Sequence, residues 1–181
     1  MLLNKINVLD KGYVASLCFS GNGKLLQDIQ DEFFQTNINL KLLNIASAVL
    51  MIKCPLFIQL NLSQSGLNII STPSNNIEAY IPDLSMIDAS PENASNIHNY
   101  IKTTTEALIL NQKGLPMDGC DGFTAQLLSP ISIYSEIIVH GNISAWISFL
   151  KQKKLPKEVS LYKKEILNIL RAEWRNIDSL L

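Results

Sequence analysis

The residues of this chain that could bind an anion are almost all lysines. Arg171 and Arg175 are its two arginines, and both lie among the last eleven residues, whereas thirteen lysines are spread along the chain. A guanidinium group binds phosphate or carboxylate through two parallel donors, and a lysine ammonium group does not reproduce that two-point geometry. Residues 1–170 therefore contain no arginine that could bind a nucleotide phosphate in this way.

Histidine and cysteine are too few and too scattered for metal chemistry. No two of them stand at the spacing of metal ligands. The residues concerned are His98, His140, Cys18, Cys54 and Cys120. We therefore expect no metal site. An odd number of widely spaced cysteines favours free thiols that are reduced and buried, as in a cytoplasmic protein.

Gly21–Lys24 is the segment that most resembles a phosphate-binding loop. Leu25 occupies the position where such a loop needs serine or threonine, and the two glycines stand too close together. The segment is therefore interpreted as a turn that leads into a helix over 23–36, where apolar residues recur at helical spacing.

The rest of the pattern alternates between strands and helices. Two strands are expected to pair around the turn Asp10–Gly12. Ser90 is predicted to cap a helix that begins with Pro91 and ends near Asn111. Pro55 either ends a strand or opens a helix. Further strands are predicted at 46–53, 67–71 and 131–140, and further helices at 121–128, after Asn142 and after Pro156.

Composition favours one globular domain over residues 1–181. Apolar residues make up 47% of the chain, charged residues 17%, and the net charge is −1. Such a charge provides no electrostatic case for binding nucleic acid or an anionic membrane. The longest apolar stretch, Ile45–Leu62, is interrupted by polar residues and by Pro55, so we expect no membrane span. The N-terminus lacks the order of a signal peptide, which again favours the cytoplasm.

Several short segments, in the correct order, resemble the flavin-dependent thymidylate synthases. These segments are Leu9–Val14, Ile52–Ile58, Tyr80–Pro82 and Ser129–Ser135, followed by Asn142. The resemblance implies an α+β fold, with a mixed or antiparallel sheet flanked by helices in a single domain.

The departures from this family concern its charged signature. The family has an Arg-His-Arg triplet after the second segment, whereas this chain has Gln64, Ser65 and Gly66. Arginine positions elsewhere fall on Asn76, Gln126, Ser144 and Lys153, of which only the lysine is charged. The resemblance therefore implies that the scaffold is kept and that most of its anion-binding side chains are lost.

The resemblance also implies roles for particular residues. The position of Ser74 matches the serine near the reacting base, which would make it the catalytic candidate. The residues placed against FAD are Asn142, Gln64 and Ser65, and those placed against the substrate are Gln126, Lys153 and Tyr134.

Ordinary structural roles would also explain most of these residues. Asn142 is a good helix cap, Ser74 lies in a polar turn, and Tyr134 suits the core of a sheet. Gln126 and Lys153 would then simply face solvent.

The missing arginines and the resemblance together imply a divergent family member, impaired in dUMP methylation, that acts through binding or assembly. Because the family is homotetrameric, we expect a homotetramer or a hetero-oligomer with an active paralogue. The alternative is flavin- and folate-dependent methyl transfer to a nucleoside-like substrate without phosphate. Whether the chain is an enzyme stays open at this point, as does a different fold.

Overall fold

The computed structural model describes residues 3–20, 46–72, 77–174 and 177–181. Three predictions lie outside these residues, namely the turn at Gly21–Lys24, the helix over 23–36 and the catalytic role of Ser74.

The described residues form two compact units. The first, called here the sheet unit, consists of 3–20, 46–54, 58–72, 135–174 and 177–181. The second, called the helical unit, consists of 55–57 and 77–134. Two compact units do not decide whether 1–181 folds as one domain, so the single domain stays a prediction.

A five-stranded sheet organises the fold. Its strands are β1 (Leu3–Val8), β2 (Gly12–Ser20), β3 (Ser47–Pro55), β4 (Asn68–Ser71) and β5 (Tyr134–Asn142), in the order β1-β2-β3-β5-β4. The pairs β1–β2, β2–β3 and β4–β5 are antiparallel. The Ile143 amide donates to the Ala46 carbonyl, and the Leu56 amide donates to the Ile133 carbonyl, each over 3.0 Å, so β3 and β5 are antiparallel too. The α+β class is confirmed, and the sheet is antiparallel rather than mixed.

Buried and half-buried residues alternate along β3, and this pattern shows which face of the sheet is covered. Every second residue of this strand is buried, as period-two geometry requires. The buried set is Ala48, Leu50, Ile52 and Cys54. Two helices, α4 (Ile143–Leu150) and α5 (Lys157–Glu173), pack on the sheet. The Trp146 indole donates to the Ala48 carbonyl, and the Tyr162 hydroxyl donates to the Lys53 carbonyl over 2.8 Å.

The predicted helix starts are mostly confirmed. Pro55 ends β3, and α1 (Leu56–Ser63) begins directly after it. Helix α2 begins at Pro91 as predicted and continues to Gly114, three residues beyond the predicted end. Ser90 occupies the N-cap position as predicted, but its side chain makes no capping hydrogen bond.

The predictions for residues 121–142 need adjustment. The helix expected over 121–128 is α3 (Gly122–Ala125) followed by a 3-10 helix, Gln126–Leu128. Strand β5 starts at Tyr134 because Ile133 forms only an isolated bridge with Ala79, and it extends to Asn142. Shorter 3-10 helices lie at Leu84–Met86, Leu115–Asp118 and Ile177–Leu180.

None of the helices in the described part of the chain is long and apolar enough to cross a membrane.

Gly12 allows a close approach between the first hairpin, the end of β3 and helix α5. A Cβ atom there would lie 2.6 Å from the Val8 carbonyl oxygen and 2.8 Å from the Lys53 carbonyl oxygen, and it would overlap the Tyr162 hydroxyl. We expect Gly12→Ala to lower the free energy of unfolding by about 1–3 kcal/mol, as overpacking does, and to shift the midpoint of urea unfolding accordingly.

Gly114 provides the matched control. A Cβ atom at this position of α2 would have no neighbour within 4 Å. Gly114→Ala should therefore leave stability unchanged or raise it by up to about 1 kcal/mol, because alanine loses less backbone entropy in a helix. Equal losses from both substitutions would contradict the close approach at Gly12.

Candidate functional site

A polar cluster forms where the turn after α1 meets the loop after α4. The Gln152 side-chain amide donates to the Ser65 hydroxyl over 2.8 Å. The Lys163 ammonium group, from α5, donates to the Gln152 carbonyl over 2.8 Å. Gln64 and Lys153 are the exposed chain neighbours of this pair. We call these five residues the Ser65–Gln152 cluster.

The backbone conformation of two segments, the turn after α1 and the loop after α4, positions the residues of the Ser65–Gln152 cluster. Gly66 has a φ of +75° and turns the chain away from α1 toward β4. After α4, the Lys151 amide donates to the Ile147 carbonyl, and Lys154 has a φ of +59° before α5 begins. A lysine in this left-handed region is unusual, since the region favours glycine. The loop is therefore held by its surroundings rather than by its own preference.

The electrostatics of the cluster favour an anion. Lys151, Lys153, Lys154 and Lys157 are exposed in and beside the loop, and Glu158 is the carboxylate nearest to them in sequence. Several ammonium groups on one loop attract phosphate as point charges, without the two-point geometry of arginine. The Ser65 hydroxyl and the Gln152 amide add neutral hydrogen-bonding groups beside that charge.

Three of the site residues predicted from the sequence meet in this cluster. Gln64 is exposed, and Ser65 is 6% exposed with its hydroxyl accepting the bond from Gln152. Lys153 is exposed and follows Gln152 directly. The structure thus brings two residues assigned to the cofactor next to one assigned to the substrate. Their ligand contacts stay predictions.

Asn142 lies at the other end of α4. Its side-chain oxygen accepts a hydrogen bond from the Ala145 amide over 2.9 Å, so the predicted capping role is confirmed. Helix α4 has eight residues, which corresponds to roughly 12 Å along its axis. Asn142 and Lys153 are therefore separated by the length of a helix, and a role of Asn142 in binding FAD stays a prediction.

Two further predicted site residues belong to the helical unit. Gln126 is exposed at the start of its 3-10 helix. Tyr134 is 2% exposed, and its ring meets the edge of Tyr80 at 6.5 Å and 85°. Tyr134 thus belongs to the core of this unit. The substrate contacts proposed for both residues stay predictions.

The sequence predictions missed the polar partners of the cluster. Gln152 and Lys163 were not singled out, because nothing local marks them apart from neighbouring lysines. Gln59 was also missed as a site residue. It is buried in α1, and its amide donates to the Ser135 hydroxyl on β5. The signal available for Gln59 was a polar residue within an otherwise apolar run.

Two buried titratable groups have shifted pKa values. Burial, a hydrogen bond to Glu136 and the negative charge of that carboxylate raise the pKa of Tyr13 to about 12. The Lys5 ammonium group lies 4.0 Å from the centre of the Tyr13 ring. Burial also raises the pKa of the Cys54 thiol well above its ordinary value.

The cysteines agree only in part with the sequence prediction. All three are free thiols, but Cys18 is exposed and Cys120 is half-buried, so burial holds only for Cys54. No group of three potential metal ligands occurs among the residues that the structure describes.

Comparison with known proteins shows the fold. No protein-family model matches the chain, and a comparison with curated proteins finds no match either. Solved structures do match. One is the UMP/dUMP methylase PolB from Streptomyces cacaoi bound with 5-Br UMP, with a TM-score of 0.75 and 12% identity over 97% of both chains. Another is the same methylase bound with 5-Br dUMP, with a TM-score of 0.74 and 14% identity over 93% of both chains.

These findings correct the family and the function expected from the sequence. The assignment to the flavin-dependent thymidylate synthases is withdrawn, because no family model matches and the matching structures are those of a UMP/dUMP methylase. Both expected functions are withdrawn with it, namely an impaired homologue acting through assembly and methyl transfer to a non-phosphorylated nucleoside. The physical reason is that segments of a few residues report strand and turn chemistry, which many proteins share.

Asn142 should stabilise the fold through its cap. We expect Asn142→Ala to lower the free energy of unfolding by about 1 kcal/mol, because the Ala145 amide loses its acceptor. Asn142→Asp should retain that stability, since a carboxylate accepts the same bond at the positive end of α4. Urea unfolding of the three proteins measures the difference, and equal losses from alanine and aspartate would contradict the assignment.

Tyr13 should make the fold sensitive to alkali. Its folded pKa of about 12 lies above the ordinary 10.0, so the neutral phenol is favoured in the folded state. This contribution to stability is present below pH 10.0 and is lost as the pH rises through about 12. Urea unfolding across this window should show a shallower decline for Tyr13→Phe than for the wild type. Parallel curves would show that Tyr13 does not titrate as described.

Proposed function

We propose that this protein binds a uridine nucleotide and methylates its pyrimidine ring. The observation that carries the proposal is the likeness in fold to the UMP/dUMP methylase, which extends over 97% of both chains. Because one fold hosts many functions, the chemistry of the candidate site has to support the rest of the argument.

The Ser65–Gln152 cluster has the groups that a uridine nucleotide requires. A glutamine amide offers a donor and an acceptor in one plane, which matches the alternating acceptors and donor on the edge of uracil. The lysines of the following loop, Lys153 among them, attract the phosphate. The hydroxyl of Ser65 already orients the Gln152 side chain, which lowers the entropy lost on binding.

The presence of lysines rather than arginines beside the candidate site determines the affinity and the salt dependence that we expect for nucleotide binding. Exposed ammonium groups are hydrated and flexible, so the affinity should be modest and should fall as salt is added. Methylation replaces one ring hydrogen with a methyl group, so the proposal also requires a second substrate that donates a methyl group, and the ring hydrogen leaves as a proton.

Titration of the full chain with UMP and dUMP tests the binding step. We expect two-dimensional NMR spectra to show shifted Ser65 and Gln152 amide resonances with either nucleotide, with weaker effects from uridine and from added salt. The absence of any shift at millimolar UMP and dUMP would overturn the proposal. The methylation step is tested by a net mass gain of one CH2 unit on the nucleotide, since a methyl group replaces a hydrogen, when a methyl donor is supplied.

Single variants locate the site. Lys153→Ala should raise the Kd of UMP roughly 10- to 100-fold, the range for losing a charge-assisted hydrogen bond, and Gln152→Ala should raise it roughly 2- to 10-fold, the range for a neutral one. Lys102→Ala, an exposed lysine of α2, is the matched control and should leave the Kd unchanged. Equal Kd values for Lys153→Ala and Lys102→Ala would place the nucleotide elsewhere.

A further inference from the structure

One lysine of the Ser65–Gln152 cluster makes a hydrogen bond to the backbone of the cluster. Lys163, on α5, is half-buried, and its ammonium group donates to the Gln152 carbonyl over 2.8 Å. The lysines of the neighbouring loop, Lys153 and Lys154 among them, are exposed. A half-buried ammonium group that donates to a main-chain carbonyl fixes a backbone position, whereas exposed ammonium groups stay hydrated and flexible. Lys163 therefore has different surroundings from the lysines that we assign to the phosphate.

Helix α5 holds Lys163 in place relative to the sheet. Tyr162, the preceding residue, is fully buried, and its hydroxyl donates to the Lys53 carbonyl on β3 over 2.8 Å. Val159 and Ile166, one turn on either side of Tyr162, are fully buried as well. A helix with close-packed buried side chains does not slide or rotate without losing those contacts. The backbone from which the Lys163 side chain extends is therefore fixed.

The loop that carries Gln152 needs support from another element. Lys154 has a φ of +59°, a conformation that is costly for a residue with a side chain and that persists only when the surroundings hold it. At the start of the loop, the Gln152 amide donates to the Phe149 carbonyl over 3.2 Å, which is at the long end of the ordinary range. The bond from Lys163 supplies support from outside the loop, because it comes from α5.

Gln152 is held at two points by two different elements. Its carbonyl accepts the bond from Lys163 on α5, and its side-chain amide donates to the Ser65 hydroxyl, in the turn after α1, over 2.8 Å. The directions open to a side chain depend on the backbone from which it extends. If the bond from Lys163 is lost, the loop is free to shift, and the Gln152 amide loses its alignment with Ser65.

We propose that Lys163 is a positioning residue, which holds the Gln152 backbone so that the Gln152 side-chain amide is aligned for the pyrimidine ring. The inference rests on the proposed function and adds a residue that acts on the base through Gln152, without touching the ligand. Loss of the bond should therefore weaken uridine and UMP by the same factor, because both ligands carry the same base. Loss of a phosphate-binding lysine should weaken UMP alone.

NMR spectra of the nucleotide-free protein test the positioning step by itself. Lys163→Met keeps the apolar stem and removes the donor, Lys163→Arg retains a donor, and Lys164→Met, at the next and exposed position of α5, is the matched control. We expect Lys163→Met to shift the Gln152 side-chain amide resonances toward those of an exposed glutamine and to speed their exchange with water. Lys163→Arg should restore most of the wild-type spectrum, and Lys164→Met should leave it unchanged.

Unchanged amide resonances of the sheet strands show that each variant folds, and Lys163→Gln, with its shorter side chain, is the second variant if Lys163→Met does not. Gln152 resonances that stay the same when the Lys163 donor is removed would overturn the proposal, whether or not the protein binds UMP.

Binding of uridine and of UMP distinguishes positioning from a contact with phosphate. We expect Lys163→Met to raise both Kd values by the same factor, roughly 2- to 10-fold, the range for a neutral hydrogen bond. Adding Lys163→Met to Gln152→Ala should cause no further loss, because both substitutions remove the same interaction with the base. A loss for UMP alone, or an additive loss in the double variant, would overturn the proposal. A wild type that binds neither ligand would instead contradict the proposed function, and the spectra of the nucleotide-free protein would still decide the role of Lys163.

Discussion

The fit of Tyr162 against the sheet is the constraint on which the sheet unit depends. The hydroxyl of this residue reaches the Lys53 carbonyl at the end of β3, and the space it needs exists because residue 12 has no side chain. The next residue, Lys163, then donates to the Gln152 carbonyl and so fixes the loop that follows α4. One buried contact thus aligns helix, sheet and candidate site together.

Charge is distributed unevenly along this chain, and that distribution links its proposed properties. Six of the thirteen lysines lie in the loop and helix after α4, whereas the helical unit is acidic. Lysine binds anions through charge rather than through fixed two-point geometry, so a basic surface of this kind suits a nucleotide phosphate.

Local sequence patterns predicted the helices and strands well, but they did not identify the family to which the chain is related. The start of α2 at Pro91 and the cap at Asn142 follow from the chemistry of those residues and their immediate neighbours. The family assignment failed because it combined short segments, each of which reports a strand or a turn. At 12–14% identity, likeness to a UMP/dUMP methylase became visible only in the arrangement of the backbone.

The sequence by itself determined most of the described helices and strands, the scarcity of arginine and the residue types available for anion binding. Those properties depend on interactions within a few residues or on composition alone. Only the tertiary structure decided that Ser65 meets Gln152, 87 residues away, and that Asn142 lies a helix length from Lys153. The physical reason is that a hydrogen bond between distant residues depends on how whole elements pack, and packing is a property of the folded chain.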